Sequence, residues 1–317
     1  MGWFTGIVED IDDPLKIGRV RVRIHGLHSD AKTQAIEIGE GIPTDTLPWA
    51  LPMQPIISAG NDGMGWSPVG MIIGTQVVGF SRDTLYNDLI IMGVIAGAPG
   101  GVSDIPMMAQ GKETSIVDNK KSSVTKNVST ADGSTWSEPE TPFAPVYPNN
   151  QVIQTVNGIV IEVDDTPSNE RVHIYHPSGT FQEIHPDGTV VSKCVNESYE
   201  IVHKDKNISI TGSININTGS NCNINTGKDC NIKTTGNTNI NTAECIINAS
   251  KNITANAQSI SITAKGSTNI AATGSVTLSS SSSVSIIAAA TASLVASGSV
   301  SIIGSSITLK GSRTVVI

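Results

Sequence analysis

The sequence predicts an all-β protein that ends in a triangular β-helix built from a short repeat. Three observations support this fold class. Only 15% of the 317 residues are charged, against about a quarter in typical soluble domains. All twelve aromatic residues lie before residue 200, and the last proline is Pro186. An eight-residue repeat then fills the chain from about residue 207 to its end, so this region must bury surface without large rings.

Residues 1–100 are predicted to form short strands that close into a small barrel. Residues 18–24 alternate arginine with aliphatic residues, which is the period of a strand and puts Arg19, Arg21 and Arg23 on one face. Further apolar runs of strand length cover residues 3–9, 71–80 and 89–95. About five short strands without an amphipathic helix favour a small β-barrel, and the OB-fold is the leading candidate.

Two segments of different character follow the barrel. Residues 101–150 hold five prolines and twelve serine or threonine residues without periodicity, which is typical of an extended linker. Residues 151–206 return to strand patterns, and turn sequences such as Asn157-Gly158 recur every nine to twelve residues. This spacing predicts an antiparallel β collar.

Residues 207–317 carry the eight-residue repeat. Every eighth residue from 214 to 302, twelve positions in all, has a small or medium side chain that is mostly apolar. A second aliphatic track runs two residues later before about residue 243 and two residues earlier after about residue 259, so we expect a phase slip or bulge between them. The predicted trimer core ladder consists of Ile214, Cys222, Cys230, Thr238, Ile246, Ile262, Ile270, Leu278, Ile286, Leu294 and Ile302.

The repeat can close in two ways. Each octad gives one short strand with about two inward side chains, and neighbouring strands stack about 4.8 Å apart. Three octads of one chain would make a solitary β-helix with a period of 24 residues, whereas three intertwined chains would make a triangular prism with a period of eight. The eight-residue equivalence of the sequence favours the homotrimeric prism. Its narrow interior accepts Ile, Val, Leu, Thr, Ala and Cys but excludes aromatic rings.

The sequence indicates no catalytic, cofactor or metal site. His25 with His28 and His173 with His176 have an HxxH spacing, but residues three apart on a strand point to opposite faces. We therefore expect surface or turn histidines. The cysteines lack a CxxC pair and fit free thiols, with two of them as small buried hydrophobes in the repeat. They are Cys194, Cys222, Cys230 and Cys245.

The arginine face of the barrel does not indicate nucleic-acid binding. Residues 1–100 carry 6 basic and 11 acidic side chains, and nucleic-acid-binding domains are usually strongly basic. A protein-facing role with salt bridges fits Arg19, Arg21 and Arg23 better.

Several short motifs occur in a fixed order along the chain. They are GIVED, DPLKIGRVRVR, GLH, IPT, LPW and QPI between residues 6 and 56, then DDTP, ER and HPSGT between residues 164 and 180. Together with the octads, they resemble the central spike proteins of contractile-tailed phages, the cell-puncturing type of the T-even phages. That architecture is related to the VgrG spikes of secretion systems.

The resemblance implies an N-terminal OB-fold on the baseplate hub, with Arg19, Arg21, Arg23 and Trp49 as hub-facing candidates. It implies a virion protein of the tail baseplate, assembled in the host cytoplasm, whose trimeric spike pierces the host outer membrane when the sheath contracts. The T-even member has a lysozyme domain between barrel and spike. The fifty residues here are too few for one, and no paired-carboxylate site is visible, so we expect no enzymatic activity.

The C-terminal end is apolar and carries no histidine after His203, unlike members that end in a His-x-His iron clasp. Three copies of Val315, Val316 and Ile317 would form an exposed patch, so we expect a separate tip protein of the PAAR type. Two alternatives stay open: a VgrG-like spike that carries effectors, and a spike with a hidden cell-wall hydrolase site in residues 101–202.

Overall fold

The N-terminal strands form a closed barrel in the order β1-β2-β3-β5-β4. The computed structural model describes residues 2–32, 41–60, 62, 64–67 and 70–306. The strands pair antiparallel except for β3 and β5, which are parallel. This arrangement confirms the predicted OB-type barrel. The strands are β1 Gly2–Asp10, β2 Val20–Ile24, β3 Trp49–Pro52, β4 Gln76–Ser81 and β5 Leu89–Ile95.

Alternation along the strands builds the barrel interior. In β1, Phe4 and Val8 are buried while Trp3 and Ile7 are exposed, because successive side chains point to opposite faces. The core is almost entirely aliphatic and contains no charged side chain among the described residues. Its members are Phe4, Val8, Val20, Val22, Ile24, Ala50, Val77, Leu89 and Ile91.

The segment predicted as a linker contains ordered elements. Short 3₁₀ turns cover Pro99–Gly101 and Met108–Gln110. A third 3₁₀ turn, Thr44–Thr46, lies in the barrel. A two-turn helix, α1, spans Ser115–Ser122, and a small hairpin joins β6 Val128–Ser129 to β7 Thr135–Trp136. Met108 and Val117 are buried in a second core. We call residues 104–149 the cover segment, since they pack on the following sheet.

That sheet is an antiparallel meander of five strands in the order β12-β11-β10-β9-β8, which confirms the predicted topology. We call it the collar sheet. Turns of the type predicted join the strands, and Gly179 and Gly188 close two of them with φ of 92° and 84°, a conformation that glycine adopts without strain. The strands are β8 Asn150–Gln154, β9 Val160–Asp164, β10 Arg171–Tyr175, β11 Phe181–Ile184 and β12 Val190–Lys193.

The repeat region, residues 207–306 of the described chain, has a backbone that bends at regular intervals. Bends begin at residues 211, 219, 227, 235 and 243, then at 250, 258 and 265, and afterwards at every eighth residue to 305. The spacing thus falls from eight to seven twice, between 243 and 265. This is where the sequence predicted a phase slip. No strand is assigned within the described part of this region.

The chain divides into two compact units at residues 226 and 227. In the first unit, Asn217 Nδ2 donates a hydrogen bond of 2.8 Å to the carbonyl oxygen of Ser129 on β6. The earliest repeats therefore contact the cover segment. No helix within the described residues has the length and apolar character needed to span a bilayer.

Candidate interaction surfaces

The three arginines predicted to face the hub are paired with carboxylates of the same chain. Arg19 donates from Nε and Nη2 to Asp13 Oδ1 at 2.9 and 2.7 Å. The Nε of Arg21 lies 3.3 Å from an oxygen of Asp10. The guanidinium groups of Arg19 and Arg21 also lie over the ring of the half-buried Trp49, 5.2 and 4.4 Å from its centroid. These contacts fix the predicted hub-facing residues within their own barrel.

Arg23 is buried by the loops that follow β2. It makes a two-point contact with Glu9 at 2.8 and 3.0 Å and donates to the carbonyl oxygens of Ser29 and Ile42. The hydrogen bond from Arg23 lowers the pKa of Glu9 to about 2, with further contributions from Thr44 and Lys32. With an exposure of only 5%, Arg23 has little surface to offer a partner.

Asp13 organises the DPLKIGR loop around itself. Its carboxylate accepts hydrogen bonds from the backbone N–H groups of Leu15, Ile17 and Arg19 and from the Arg19 side chain. Burial raises the pKa of Asp13, but these hydrogen bonds outweigh burial and bring the pKa well below its usual range. This motif therefore stabilises the local fold. Within the loop, the backbones of Lys16 and Gly18 adopt left-handed conformations, with φ of 55° and 82°.

The opposite side of the barrel has no charge. Strands β1, β4 and β5 contain no Asp, Glu, Lys or Arg between residues 2 and 8, 76 and 81, or 89 and 95. Trp3 pairs with Phe80, which pairs with Ile90 on the next strand. The Trp3 and Phe80 rings meet edge to face at 6.1 Å. We call this surface the uncharged face; its other outward side chains are Thr5, Ile7, Gln76, Val78, Met92 and Ile95.

The collar sheet has charges on the face that its own chain covers. His173 lies between Glu162 and Glu183 in the strand register, and its Nδ1 is 3.2 Å from Glu162 Oε2. Arg171 contacts both glutamates at 2.6 Å. From helix α1, Lys120 Nζ reaches Glu183 at 2.7 Å. We call Lys120, Glu162, Arg171, His173, Glu183 and His185 the buried ion network; each is at most 8% exposed.

The network keeps both carboxylates ionised. Burial raises the pKa of Glu183, but Lys120, Arg171 and Thr141 together lower it to about 2. The pKa of Glu162 also lies below its usual range, since His173 and Arg171 outweigh its burial. A glycosidase needs one carboxyl group with a raised pKa as its acid. These two glutamates, paired with cations, fit a structural role.

The open face of the collar sheet is mostly aliphatic, with Gln151, Gln182 and Ser192 as its polar members. In the register, Ile153, Ile161 and Ile174 form one cross-strand row. Val163, Val172, Ile184 and Val190 form the next row. Exposures in this set run from 39% for Val172 to 67% for Ile153. We call these seven residues the aliphatic collar face, a surface of the kind that mediates protein association.

In the repeat region the bends explain the two predicted tracks. In the early repeats the aliphatic positions are the third and fifth residues after the first bend residue, as in Ile214 and Ile216 after residue 211. In the late repeats they are again the third and fifth, as in Val284 and Ile286 after residue 281. The predicted ladder therefore moves from the third to the fifth position across the slip. Residues two apart on an extended chain share a face, so both tracks lie on one side.

The ladder side chains are exposed in the single chain. Ile214 is 64% and Ile286 67% exposed, and every described residue of the repeat region falls in the exposed class. Cys222 and Cys230 are exposed free thiols at the third position. The tip candidates Val315, Val316 and Ile317 lie outside the described residues.

The histidines only partly follow the expectation of surface positions. His25 is exposed, and His176 is in a turn, where its Nδ1 is 2.9 Å from Ser178 Oγ. His173 and His185 are instead buried in the ion network, so the prediction for His173 was wrong.

Opposite charges at the same strand phase, Glu162 beside Arg171, were the signal in the sequence that could have revealed this network. Among the described residues, no cluster of three or more His, Cys, Asp or Glu side chains has an arrangement suited to a metal ion.

Comparison with known proteins identifies relatives of this chain. Residues 26–173 match the family described as the Gp5 N-terminal OB domain. The chain is 35% identical over 269 residues to "Protein Gp5" of Vibrio phage KVP40, which covers 68% of this chain and 62% of that protein. It is also 45% identical over 97 residues to the "Pre-baseplate central spike protein Gp5" of Enterobacteria phage T4, or 31% of this chain and 16% of that protein.

The chain thus spans less than two thirds of the length of either relative. The family match begins at Gly26, after β1 and β2, and ends at His173 in the collar sheet. The barrel itself begins at Gly2, and its hydrogen-bonded closure defines its bounds better than the sequence match does. The names of the relatives favour neither the VgrG-like alternative nor the hydrolase alternative.

Proposed function

We propose that three copies of this chain form the central spike of a contractile phage tail, because residues 26–173 match the Gp5 N-terminal OB domain family and the chain is similar to two Gp5 proteins. In this proposal the barrel attaches to the baseplate hub, and the repeat regions wind into a rigid β-prism. Sheath contraction then drives the prism through the host outer membrane. The name of the T4 relative, a pre-baseplate central spike protein, supports a place in the baseplate.

The observation that carries the proposal is the regular exposure of aliphatic side chains in the repeat region. Two of every eight residues are placed on one side of the chain, and they are mostly Ile, Leu or Val. Their exposure of 60% or more at Ile214, Ile262 and Ile302 is costly in water. Two further copies of the same chain supply matching strands and matching ladders at the same spacing.

The aliphatic collar face extends the same argument toward the barrel. Its seven Ile and Val side chains have the composition of the repeat tracks, without aromatic residues, and it lies just before the first repeats in the chain. Three such sheets would enclose a common apolar core. The charged face of each sheet is already covered by its own chain, so only the aliphatic face is free to associate.

Burial at these positions would make the prism stiff. Each inward Ile or Leu contributes roughly 1.5–3 kcal/mol when fully buried, as an upper bound. With two positions per octad in three chains, the total reaches tens of kcal/mol. Since intertwined chains can only unfold together, this suits a rod that transmits axial load.

The remaining partners follow from the spike role. A PAAR-like protein would cap the apolar tip at Val315, Val316 and Ile317, and the hub would hold the barrel. The spike would be assembled in the host cytoplasm and would meet the outer membrane only transiently. We propose no enzymatic activity and no cofactor, because mechanical penetration requires neither.

Native mass spectrometry of the purified chain tests the trimer. We expect a species of about 100 kDa, three times the chain mass of 33.1 kDa. Ile174→Asp would place three carboxylates in the common core and abolish this species. Thr135→Asp, on the exposed strand β7, is the control and should leave the trimer intact. A heat-resistant monomer of 33.1 kDa would contradict the proposal and support the solitary β-helix.

A further inference from the structure

We infer that the uncharged face of the barrel, rather than the arginine stripe, is the surface that docks on the hub. The inference rests on the proposed spike function and assigns its attachment surface. The partner it fits is a protein with an apolar, uncharged patch.

The arginine stripe is poorly suited to this task. All three guanidinium groups are engaged within the barrel, by Asp13, Asp10 and Glu9. A hub contact through Arg23 would have to displace Glu9 and the loop that buries it. Exchange of one ion pair for another contributes little net affinity.

The uncharged face has the composition of an interface core. Trp3, Phe80 and Met92 are of the residue types enriched there, and charged residues are depleted. Trp3 is 66% and Ile95 42% exposed. The barrel is closed, so the partner cannot add a strand to this sheet and must pack on its side chains.

The size of the patch also fits a specific contact. The face ends beyond Ile7, because the hollow of about 350 Å³ that Ile7 borders is also lined by Glu9, Arg23, Asp30 and Lys32. Taking typical accessible areas of about 150–250 Å² for large side chains, the exposed side chains add up to roughly 600 Å². A standard interface buries about 800 Å² per partner, and a patch of this size is at the upper end of what monomers expose, where such patches are often functional.

The chemistry of the patch favours a different protein over a second copy. The surfaces that we assign to association of this chain with itself, the collar face and the repeat tracks, contain Ile, Val and other small residues that fit narrow ladders. The uncharged face contains two aromatic rings and a methionine, which suit a broad, shaped contact. Copies of this chain are also already joined along the prism.

Binding of the full-length trimer to the purified hub protein of the same tail tests the inference. We expect Ile95→Glu to weaken binding at least tenfold, because Ile95 pairs with the outward Gln76 and the glutamate would be buried against apolar surface. The matched control is Leu15→Glu, with a 62% exposed side chain on the arginine side, and it should bind like the wild type. Wild-type affinity should change less than threefold between 0.05 and 0.5 M NaCl, since no exposed charge pair is involved.

Several outcomes would overturn the inference. Loss of binding in Leu15→Glu with normal binding in Ile95→Glu would assign the hub contact to the arginine side, as would a steep salt dependence. A change in oligomer mass in Ile95→Glu would show that other copies cover this face. Trp3→Lys repeats the test on β1, and circular dichroism melting confirms that each variant is folded. A wild-type monomer would refute the spike itself, whereas a wild-type trimer whose face variants bind normally would refute only this surface.

Discussion

The barrel and the collar sheet place their side chains in opposite ways. In the barrel, the covered side of each strand is aliphatic, and the ion pairs lie around the outside. In the collar sheet, the covered side carries Glu162, Arg171 and Glu183, and the open side is aliphatic. A strand pattern alone does not tell which face is inside. The barrel core is thus complete in one chain, whereas the open aliphatic side of the collar sheet is what the proposed trimer would cover.

The largest effect should come from breaking the buried ion network. Arg171→Met would leave Glu162 and Glu183 without their shared partner, and such a loss typically costs about 3–5 kcal/mol. The control is Arg82→Met in the barrel, whose pair with Asp88 is 54% and 45% exposed and should cost less than about 1 kcal/mol. Urea unfolding of both variants gives the two values. Equal losses in the free energy of unfolding would show that the ion pairs of the collar sheet are no more important for stability than the exposed pair of the barrel.

The sequence predicted the strands of both regions well because their periodicity is local. The alternation of arginine and aliphatic residues over 18–24 corresponds to β2 at Val20–Ile24, and the apolar run at 89–95 matches β5. Turn sequences likewise set the meander order. The slip in the repeat was also visible, because a change of phase leaves a trace in the spacing of Ile and Val.

The sequence could not show which collar face is covered. Helix α1 has only two large apolar residues, Ile116 and Val117, so its amphipathic signal is too weak to separate it from a linker. Its position depends on tertiary contacts such as Lys120 with Glu183 and Met108 against the sheet. Charged residues at a regular strand phase are normally solvated, and only the fold shows that Arg171 and both glutamates meet.

Acid should weaken the collar through Glu183. Its pKa is lowered from 4.5 to about 2 in the folded chain, so the unfolded chain binds the proton more readily. The resulting stabilisation, about 3 kcal/mol, is complete above pH 4.5 and is lost as the pH falls toward 2. Lys120, Arg171, His173 and His185 face this carboxylate, and burial lowers the pKa of His173.

Urea titrations at pH 5 and pH 2.5 measure this loss. Glu183→Gln has no such proton to bind. We therefore expect its free energy of unfolding to change less between pH 5 and pH 2.5 than that of the wild type, by most of the roughly 3 kcal/mol assigned to Glu183. The barrel serves as internal reference, since its unfolding responds to Glu9 and Asp13 instead. An unchanged pH dependence in the variant would show that Glu183 is not held ionised by the network.

The smallest effect concerns the phase of the repeat. Val284 is at the third position after its bend, and Ser285 follows on the other side of the chain. Val284→Thr keeps the shape but brings a hydroxyl into the prism, at about 1 kcal/mol per chain. The cost is modest because Thr238 and Thr268 occupy the same position in other repeats. Ser285→Thr, facing solvent, should stay within about 0.5 kcal/mol.

Thermal melting of the trimer compares the two variants directly. The two variants together test which side of the repeat faces inward. Side chains on an extended strand alternate, so a shift of one residue exchanges all inward side chains for the outward ones. A larger loss for Ser285→Thr than for Val284→Thr would therefore place the serine side inward and invert the proposed core. Similar small effects for both would mean that neither side is enclosed, and the repeat would then lack the interior that stiffness requires.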